Sequence, residues 1–304
     1  MTTPTIDNVL VISKRSAYDL YVRQYKMSRV RALLRKKDPS VARLIRADAQ
    51  HGETLEEVRS ALKTLKIKAR FRDRSQIGDV TPFDLVITVG GDGTLLSVSH
   101  TLGETPVLGI NSAPEDSVGF FAGARKGNVL DRLTQLLDGA MARTWLARMR
   151  VHVDKKEVDR RVLNEVLFAH KCPAMTSRYI LKVGDREEEQ KSSGFYIGPA
   201  AGSTAAIRSA GGRVLPLGSR ALQLVVREPY TPDGRGVEIA HEVIKAGESI
   251  EVINKMREGC LFIDGPRKPQ PVEIGQRVRF DLSPEPLLVY GMARAESVRK
   301  RRET

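Results

Sequence analysis

Residues 84–100 read DLVITVGGDGTLLSVSH, a lone carboxylate among three glycines where an apolar run gives way to helical spacing. Leu85, Val86, Ile87, Thr88 and Val89 have the character of a buried strand, and Gly90 and Gly91 end it. Leu95, Leu96 and Val98 continue as a helix, with Thr94 as its expected N-cap. Backbone N–H groups around Gly91 and Gly93 then point outward without intrahelical partners, which makes the loop suited to anions. Asp92 would stand beside any phosphate bound there. A tight βα turn in which Asp92 only caps the helix is the plainer alternative.

The elements that must position this loop alternate between strand and helix in the first half of the chain. NVLVIS reads as a strand and residues 16–26 as a helix. A charged, poorly periodic insertion follows, then the amphipathic TLEEVRSALKTL and the extended IKARF. After the glycine loop come the strand TPVLGI and the helix GNVLDRLTQLLDG. Such alternation predicts a parallel sheet covered by helices. Near Trp145 the rhythm changes to short strands and turns, including LARMRVHVD, RRVLNEVLFAH, SRYILKVG, SGFYIGPA, ALQLVVRE, SIEVIN, CLFIDG and QRVRFDL. The expected organisation is an α/β domain over residues 1–143 and a β-rich domain over 144–285, with 286–304 returning to the first.

With 304 residues and 41% hydrophobic composition, the chain has material for two cores. No apolar run approaches a membrane span, and residues 1–8 lack the basic and apolar regions of a signal peptide, so a cytoplasmic protein is expected. Cys172 and Cys260 are far apart and are expected as buried thiols, not as a disulfide or zinc site. The formal net charge of +13 points to nucleic acid, an anionic surface or polyanionic small substrates. Residues 23–37 (RQYKMSRVRALLRKK) and 299–302 (RKRR) carry much of it. With no nucleic-acid module around them, they read as a solvated helix face and a frayed tail.

GGDGT alone also occurs in sugar kinases of the phosphofructokinase type and lipid kinases of the diacylglycerol type. Further motifs decide. VGFFAG at 118–123, LNEVLFAH at 163–170, GPAAGSTAAIRSAGG at 198–212 and FIDG at 262–265 follow in an order and at separations that resemble the NAD kinase family. LNEVLFAHKCPAMTSR, SSGFYIGPAAGSTAAIRSAGG and LQLVVREP are most similar to its plant-type NADH kinase branch. The resemblance covers residues 84–290. It implies a Rossmann-like α/β domain followed by a β-sandwich, and transfer of the γ-phosphoryl of ATP, with a divalent ion such as Mg²⁺, to the 2'-hydroxyl of the adenosine ribose in NAD or NADH. It also implies a homo-oligomer, dimer or tetramer.

The residues fit that chemistry. Asp92 becomes the catalytic candidate, because an aspartate can align a ribose hydroxyl and take its proton late in the transfer. Gly91, Gly93 and Thr94 frame the phosphates. By family match Asn164 and Glu165 hold ribose and adenine polar groups, and they interrupt an apolar strand, where an amide and an acid need partners. Gly202 permits close approach, Ser203, Thr204 and Ser209 offer hydroxyls, and Ala205 and Ala206 leave room for a flat base. Phe120 is matched to packing on the adenine, and Asp264 to a family position of less certain role.

Two departures stand out. Most family members read Asp-Gly at Ser193-Gly194, and Thr-Pro-Thr-Gly-Ser-Thr-Ala-Tyr at residues 199–206, so an acid and a tyrosine are missing here. If the family's acid stands near the nicotinamide, its replacement by Ser193 disfavours the cationic ring of NAD relative to the neutral ring of NADH; if it contacts the adenine end, the charge argument does not apply. A lipid kinase would be expected to bring a membrane-facing apolar patch and does not explain NEVLFAH or GSTAA. A non-catalytic dinucleotide-binding or RNA-binding protein would not need Asp92.

The basic excess is expected to serve anionic small substrates. Raising salt should therefore weaken their capture, while RNA and duplex DNA should bind no tighter than micromolar at physiological salt in a fluorescence-anisotropy titration. Submicromolar nucleic-acid binding would overturn this reading.

Overall fold

The central strands of the first sheet are made of residues that suit an interior. In a computed structural model of the protein, which describes residues 5–231, 234, 236–265 and 269–292, β1 (Asn8–Ser13), β2 (Lys68–Asp73), β3 (Leu85–Gly90), β4 (Val107–Asn111), β5 (Ala122–Arg125) and β6 (Arg143–Leu146) belong to this sheet. β1 pairs in parallel with β2 and β3, and β3 with β4. All residues of β3 and β4 are buried, as expected of strands covered on both faces. The helices of this unit are α1 (Ser28–Arg35), α2 (Ala42–Thr64), α3 (Asp92–Ser99) and α4 (Val129–Leu137), of which α2, α3 and α4 pack on the sheet. Val58 and Leu62 of α2 and Leu133 and Leu136 of α4 pack with Leu85, Ile87 and Val89 of β3. Gly109 alternates with Leu108 and Ile110 along β4, and a Cβ there would meet Leu95 of α3 at 3.1 Å. α3 therefore lies on the opposite face.

The insertion after β1 is more ordered than its pattern suggests. Residues Asp19–Gln24 form a π-helical turn where an ordinary helix was expected. α1 follows without a single buried residue, and α2 runs for 23 residues. The first two turns of α2 bury nothing, so apolar periodicity marks only the portion from Gln50 onward. Arg23 pairs with Asp19 and Asp48. The tail 299–302 lies outside the described residues.

The second unit, Trp145–Leu287, holds two antiparallel six-stranded sheets. One combines β7 (Met149–Val153), β8 (Lys156–Val162), β10 (Ser177–Val183), β11 (Arg186–Ser192), β15 (Ser249–Asn254) and β18 (Arg277–Leu282) in the order 11-10-15-18-7-8. The other combines β9 (Val166–His170), β12 (Phe195–Pro199), β13 (Ala221–Val226), β14 (His241–Lys245), β16 (Gly259–Ile263) and β17 (Gln270–Val272) in the order 14-13-12-9-16-17. A short helix, α5 (Ala206–Ser209), follows β12. Phe168 and Phe195 from one sheet meet Tyr179 and Phe280 from the other at ring-centroid distances of 5.3 to 6.1 Å. Aromatic edges on faces close this core. Arg148 is fully buried and donates to the Glu285 and Pro286 carbonyls, so the beginning and end of the unit are tied together.

The last strand, β19 (Leu287–Tyr290), returns to the first sheet between β4 and β6. The first unit accordingly comprises residues up to Thr144 together with those from Leu288. Of the two thiols expected to be buried, Cys260 is and Cys172 is exposed, because Cys172 lies in the turn after β9. Among the described residues no helix is long and apolar enough to cross a membrane.

Candidate active site

β3 delivers the glycine loop at the carboxyl-terminal edge of the parallel sheet. α3 begins at Asp92 with Gly91 as N-cap, and no side chain caps it. The expected cap, Thr94, instead sits inside the first turn, 2% exposed, with no hydrogen-bond partner for its Oγ1. It is tucked under Gly90, where any Cβ would collide with the threonine hydroxyl. Capping is also not the role of Asp92. Its Oδ1 accepts from the Phe121 N–H at 2.9 Å, which anchors one oxygen and leaves Oδ2 without a protein donor among the described residues. Gly93 is exposed and faces open space.

The loop that reaches Asp92 is shaped by a residue the sequence reading missed. Asn111, at the end of β4, donates from Nδ2 to the Ser117 carbonyl at 2.9 Å and accepts from the Ala113 N–H at 3.2 Å. Phe120 is half-buried beside Phe121, whose ring meets it edge to face at 5.1 Å. Asparagine at a strand end is a common turn residue, so its pattern alone carried no signal.

In the second unit, residues 163–165 form a turn between β8 and β9 that is organised by Asp264. The Asp264 carboxylate accepts from the N–H groups of Leu163, Asn164 and Glu165 at 2.8, 2.7 and 3.1 Å. Its own N–H donates to the Glu165 carbonyl at 3.0 Å. Asp264 is 4% exposed and holds a φ of +47°, a left-handed backbone that aspartate tolerates better than most residues. The FIDG aspartate thus shapes the Asn-Glu turn from a distant strand. Asn164 Oδ1 and Glu165 Oε2 are buried with no partner in the protein.

Segment 198–204 lies against this turn. A Cβ on Gly202 or Gly198 would overlap the Asn164 carbonyl, so the close approach these glycines permit is to the protein's own backbone. Ser203 is fully buried and spends its hydroxyl internally, donating to the Ala200 carbonyl at 2.6 Å and accepting from the Leu215 N–H at 2.9 Å. Thr204 and Ala205 are partly open, and Ser209 is exposed at the end of α5. Ser193 stands elsewhere. β9 and β12 pair antiparallel, with Val166 opposite Ile197 and Phe168 opposite Phe195, so Ser193 lies at the opposite end of these strands from Asn164. The separation is about six strand steps, or ~20 Å. There it lines a cavity of about 300 Å³ with Met175, Glu228 and Tyr230.

The first unit thus presents an outward-facing glycine loop with a half-anchored carboxylate, and the second a turn with two buried oxygens that have no partner in the protein. Residues 22–141 match the ATP-NAD kinase N-terminal domain. The chain is 33% identical over 261 residues to a probable NADH kinase of Oryza sativa subsp. japonica, covering 78% of this chain and 80% of the relative. It is 30% identical over 245 residues to an NADH kinase of Arabidopsis thaliana, covering 68% and 72%. An NAD kinase from Archaeoglobus fulgidus, solved in complex with ATP, superposes with a TM-score of 0.68 over 97% of each chain at 19% identity. The chain belongs to the NAD kinase family, and its reaction is the ATP-dependent phosphorylation of NAD(H) to NADP(H).

Burial, together with the Asp264 carboxylate beside it, pushes the Glu165 carboxyl up from 4.5 to about 7. The folded state holds this proton more tightly than the unfolded chain does. Stability therefore falls as pH rises between these two values and stays reduced above the higher one. Glu165→Gln should raise the melting temperature by a few °C relative to wild type at pH 8 and leave it nearly unchanged at pH 5. An equal effect at both pH values in thermal melts would refute this account.

Proposed function

We infer that Asp92 aligns the acceptor hydroxyl and receives its proton while Asn164 and Glu165 hold the adenosine of the dinucleotide. The observation that carries this reading is the pair of buried, unpartnered oxygens on Asn164 and Glu165. A ribose and an adenine amino group supply the donors they lack, and protein oxygens stripped of water gain most from such partners. Thr204 and Ala205, beside that turn, complete the adenosine contacts, and Phe120 offers an aromatic face. Ser203 is left out, because its hydroxyl is already engaged.

The phosphate donor is assigned to the glycine loop. Among the described residues no three His, Cys, Asp or Glu side chains gather to hold a metal ion. For a Mg²⁺ that accompanies the donor phosphates, Asp92 is the loop carboxylate able to share it. When bound, such an ion offsets charge on the phosphate oxygens.

Asp92→Asn keeps the shape of the side chain and removes the proton acceptor. We expect kcat to drop by about 10² to 10⁴ with dinucleotide affinity little changed. Wild-type turnover in the variant would refute the role.

The finer reading is a preference for NADH with real activity on NAD. A dinucleotide has two ends, and the Ser193 cavity stands one strand length from Asn164, a spacing that suits its nicotinamide end. Serine there leaves Glu228 as the carboxylate of that lining, enough to admit a cationic ring without favouring it strongly. A charge pair at close range is worth up to about 4 kcal/mol before desolvation is subtracted. Ser193→Asp should therefore raise kcat/KM for NAD about tenfold and leave NADH unaffected. A wild type that already favours NAD, or a variant that gains nothing toward it, would sink the preference.

A further inference from the structure

A buried histidine that the mechanism does not use reaches across the strand carrying Asp92. In the first sheet β3 lies between β1 and β4. His51 of α2 is 6% exposed, and its ring spans from the end of one flanking strand to the end of the other. Nε2 donates to the Lys14 carbonyl at 2.8 Å, one residue beyond β1, and Nδ1 accepts from the Ser112 hydroxyl at 2.9 Å, one residue beyond β4. A carbonyl can only accept, which fixes this tautomer for the neutral ring. Burial and the Lys14 ammonium hold the ring below the ordinary histidine range, against the opposite pull of the Lys14 carbonyl and of Asp48, so it is neutral at pH 7. β1 and β4 are two strand spacings apart, roughly 10 Å, and the ring with its two bonds fills that gap. Both anchors are themselves bonded to the last two residues of β3. The Lys14 N–H donates to the Val89 carbonyl at 3.4 Å and the Ser112 N–H to the Gly90 carbonyl at 3.0 Å.

Ser112 also opens the segment whose far end, the Phe121 N–H, pins Asp92. Between the two, Asn111 holds the Ser117 carbonyl, and Gly119, at a φ of +63°, packs so closely on Asn111 that a Cβ would overlap its side-chain amide. The start of the segment therefore sets where its end can stand. α2 grips this stretch at further points. Arg46 pairs with Asp116 at 2.7 Å, the Thr54 hydroxyl lies 3.3 Å from the Ser112 carbonyl, and Glu57 accepts from the Gly127 and Val129 N–H groups at 2.8 and 2.9 Å. The Arg46 side chain is exposed, so its ion pair is screened and contributes little. The His51 bond is different, because Ser112 is fully buried and water cannot replace a lost partner there. A helix on a sheet ordinarily turns apolar side chains inward, yet Gln50, His51 and Thr54 are the buried residues at this level of α2.

We propose that His51 is a positioning residue for Asp92. By fixing Ser112 against the end of β3 it sets the Phe121 N–H, and through that bond the direction of the Asp92 carboxylate. Both of its own bonds are to protein atoms, so it supplies no reacting group. A misplacement of about 1 Å costs on the order of 10² in rate, which gives a remote support control over turnover. This rests on the reading of Asp92 as the group that aligns the acceptor hydroxyl.

The test is a kinetic double-mutant cycle on the full chain, with ATP and NADH as substrates. His51→Ala and Ser112→Ala are each expected to lower kcat about tenfold in the wild-type background and less than about twofold in the Asp92→Asn background, where the proton acceptor is already gone. Ser112→Ala removes a single hydroxyl, so it carries the cycle should His51→Ala fail to fold. Two conservative variants separate the ring's bonds. His51→Asn places an amide oxygen where Nδ1 stood, keeps the Ser112 bond and is expected to recover most of kcat. His51→Gln places its amide where Nε2 stood, keeps the Lys14 bond alone and is expected to recover little. Equal losses in both backgrounds, recovery by glutamine in place of asparagine, or wild-type turnover in Ser112→Ala overturn the positioning role and leave the kinase reading standing. Wild-type turnover in Asp92→Asn itself overturns the reading of Asp92, and the positioning role with it.

Discussion

The turn proposed to hold the acceptor depends on one buried carboxylate. Asp264 gathers three successive backbone N–H groups at residues 163–165. Hydrogen bonds to a charged group contribute about 1.5 to 3 kcal/mol each, against roughly 1 to 3 kcal/mol for a left-handed non-glycine backbone. The balance favours a rigid turn. That rigidity sets the Asn164 carbonyl against Gly198 and Gly202 and points the Asn164 and Glu165 side chains where their outer oxygens find nothing to bond. The cost of those orphaned atoms is offset by the bonds to the same carboxylate, and burial, with the Asp264 charge beside it, pushes the neighbouring Glu165 carboxyl up to about 7.

The glycine loop uses the same device at smaller scale. One oxygen of Asp92 is pinned by the Phe121 N–H, so the side chain has a defined direction while its second oxygen stays available. Asn111 holds the segment that supplies this N–H. In both halves the group assigned to chemistry is oriented by a main-chain bond from a segment remote in sequence. A substitution in either supporting segment should then act through geometry, without removing any reactive atom.

Elements with strong local patterns could be read directly from the chain. β3, the glycine loop and α3 were legible because a fully apolar strand, three glycines and a helical stripe coincide within a few residues. α1 and the first turns of α2 were not, since they bury nothing and so leave no periodicity. β11 (REEEQKS) and β14 (HEVIK) escaped notice because both are edge strands rich in polar residues, and β11 turns even polar side chains, Gln190 and Ser192, to the interior. Thr94 looked like a cap by residue type, yet Gly91 takes that position, and the threonine fills the space a side chain on Gly90 would have needed. Asp264 was visible as a residue and invisible as a support, because 100 residues separate it from the Asn164 N–H it accepts from. Tertiary bonds of that span leave no local trace.

The two recognition surfaces are made of different materials, and their selectivity should differ accordingly. The glycine loop, proposed to take the donor, offers backbone N–H groups at the end of a helix. Such groups respond to negative charge and to the room that glycine leaves, and they carry little information about what the phosphates are attached to. The acceptor turn offers side-chain oxygens, an amide and a carboxyl, each buried and unsatisfied. A site of that kind rejects a molecule lacking the matching hydroxyl or amino group far more strongly than a hydrophobic pocket rejects a missing methylene, since the unmatched polar atoms stay unpaired. On the proposed reading, discrimination among acceptors rests on Asn164 and Glu165, and ultimately on the Asp264 carboxylate that fixes them. Discrimination among donors falls to whatever surrounds the phosphate chain.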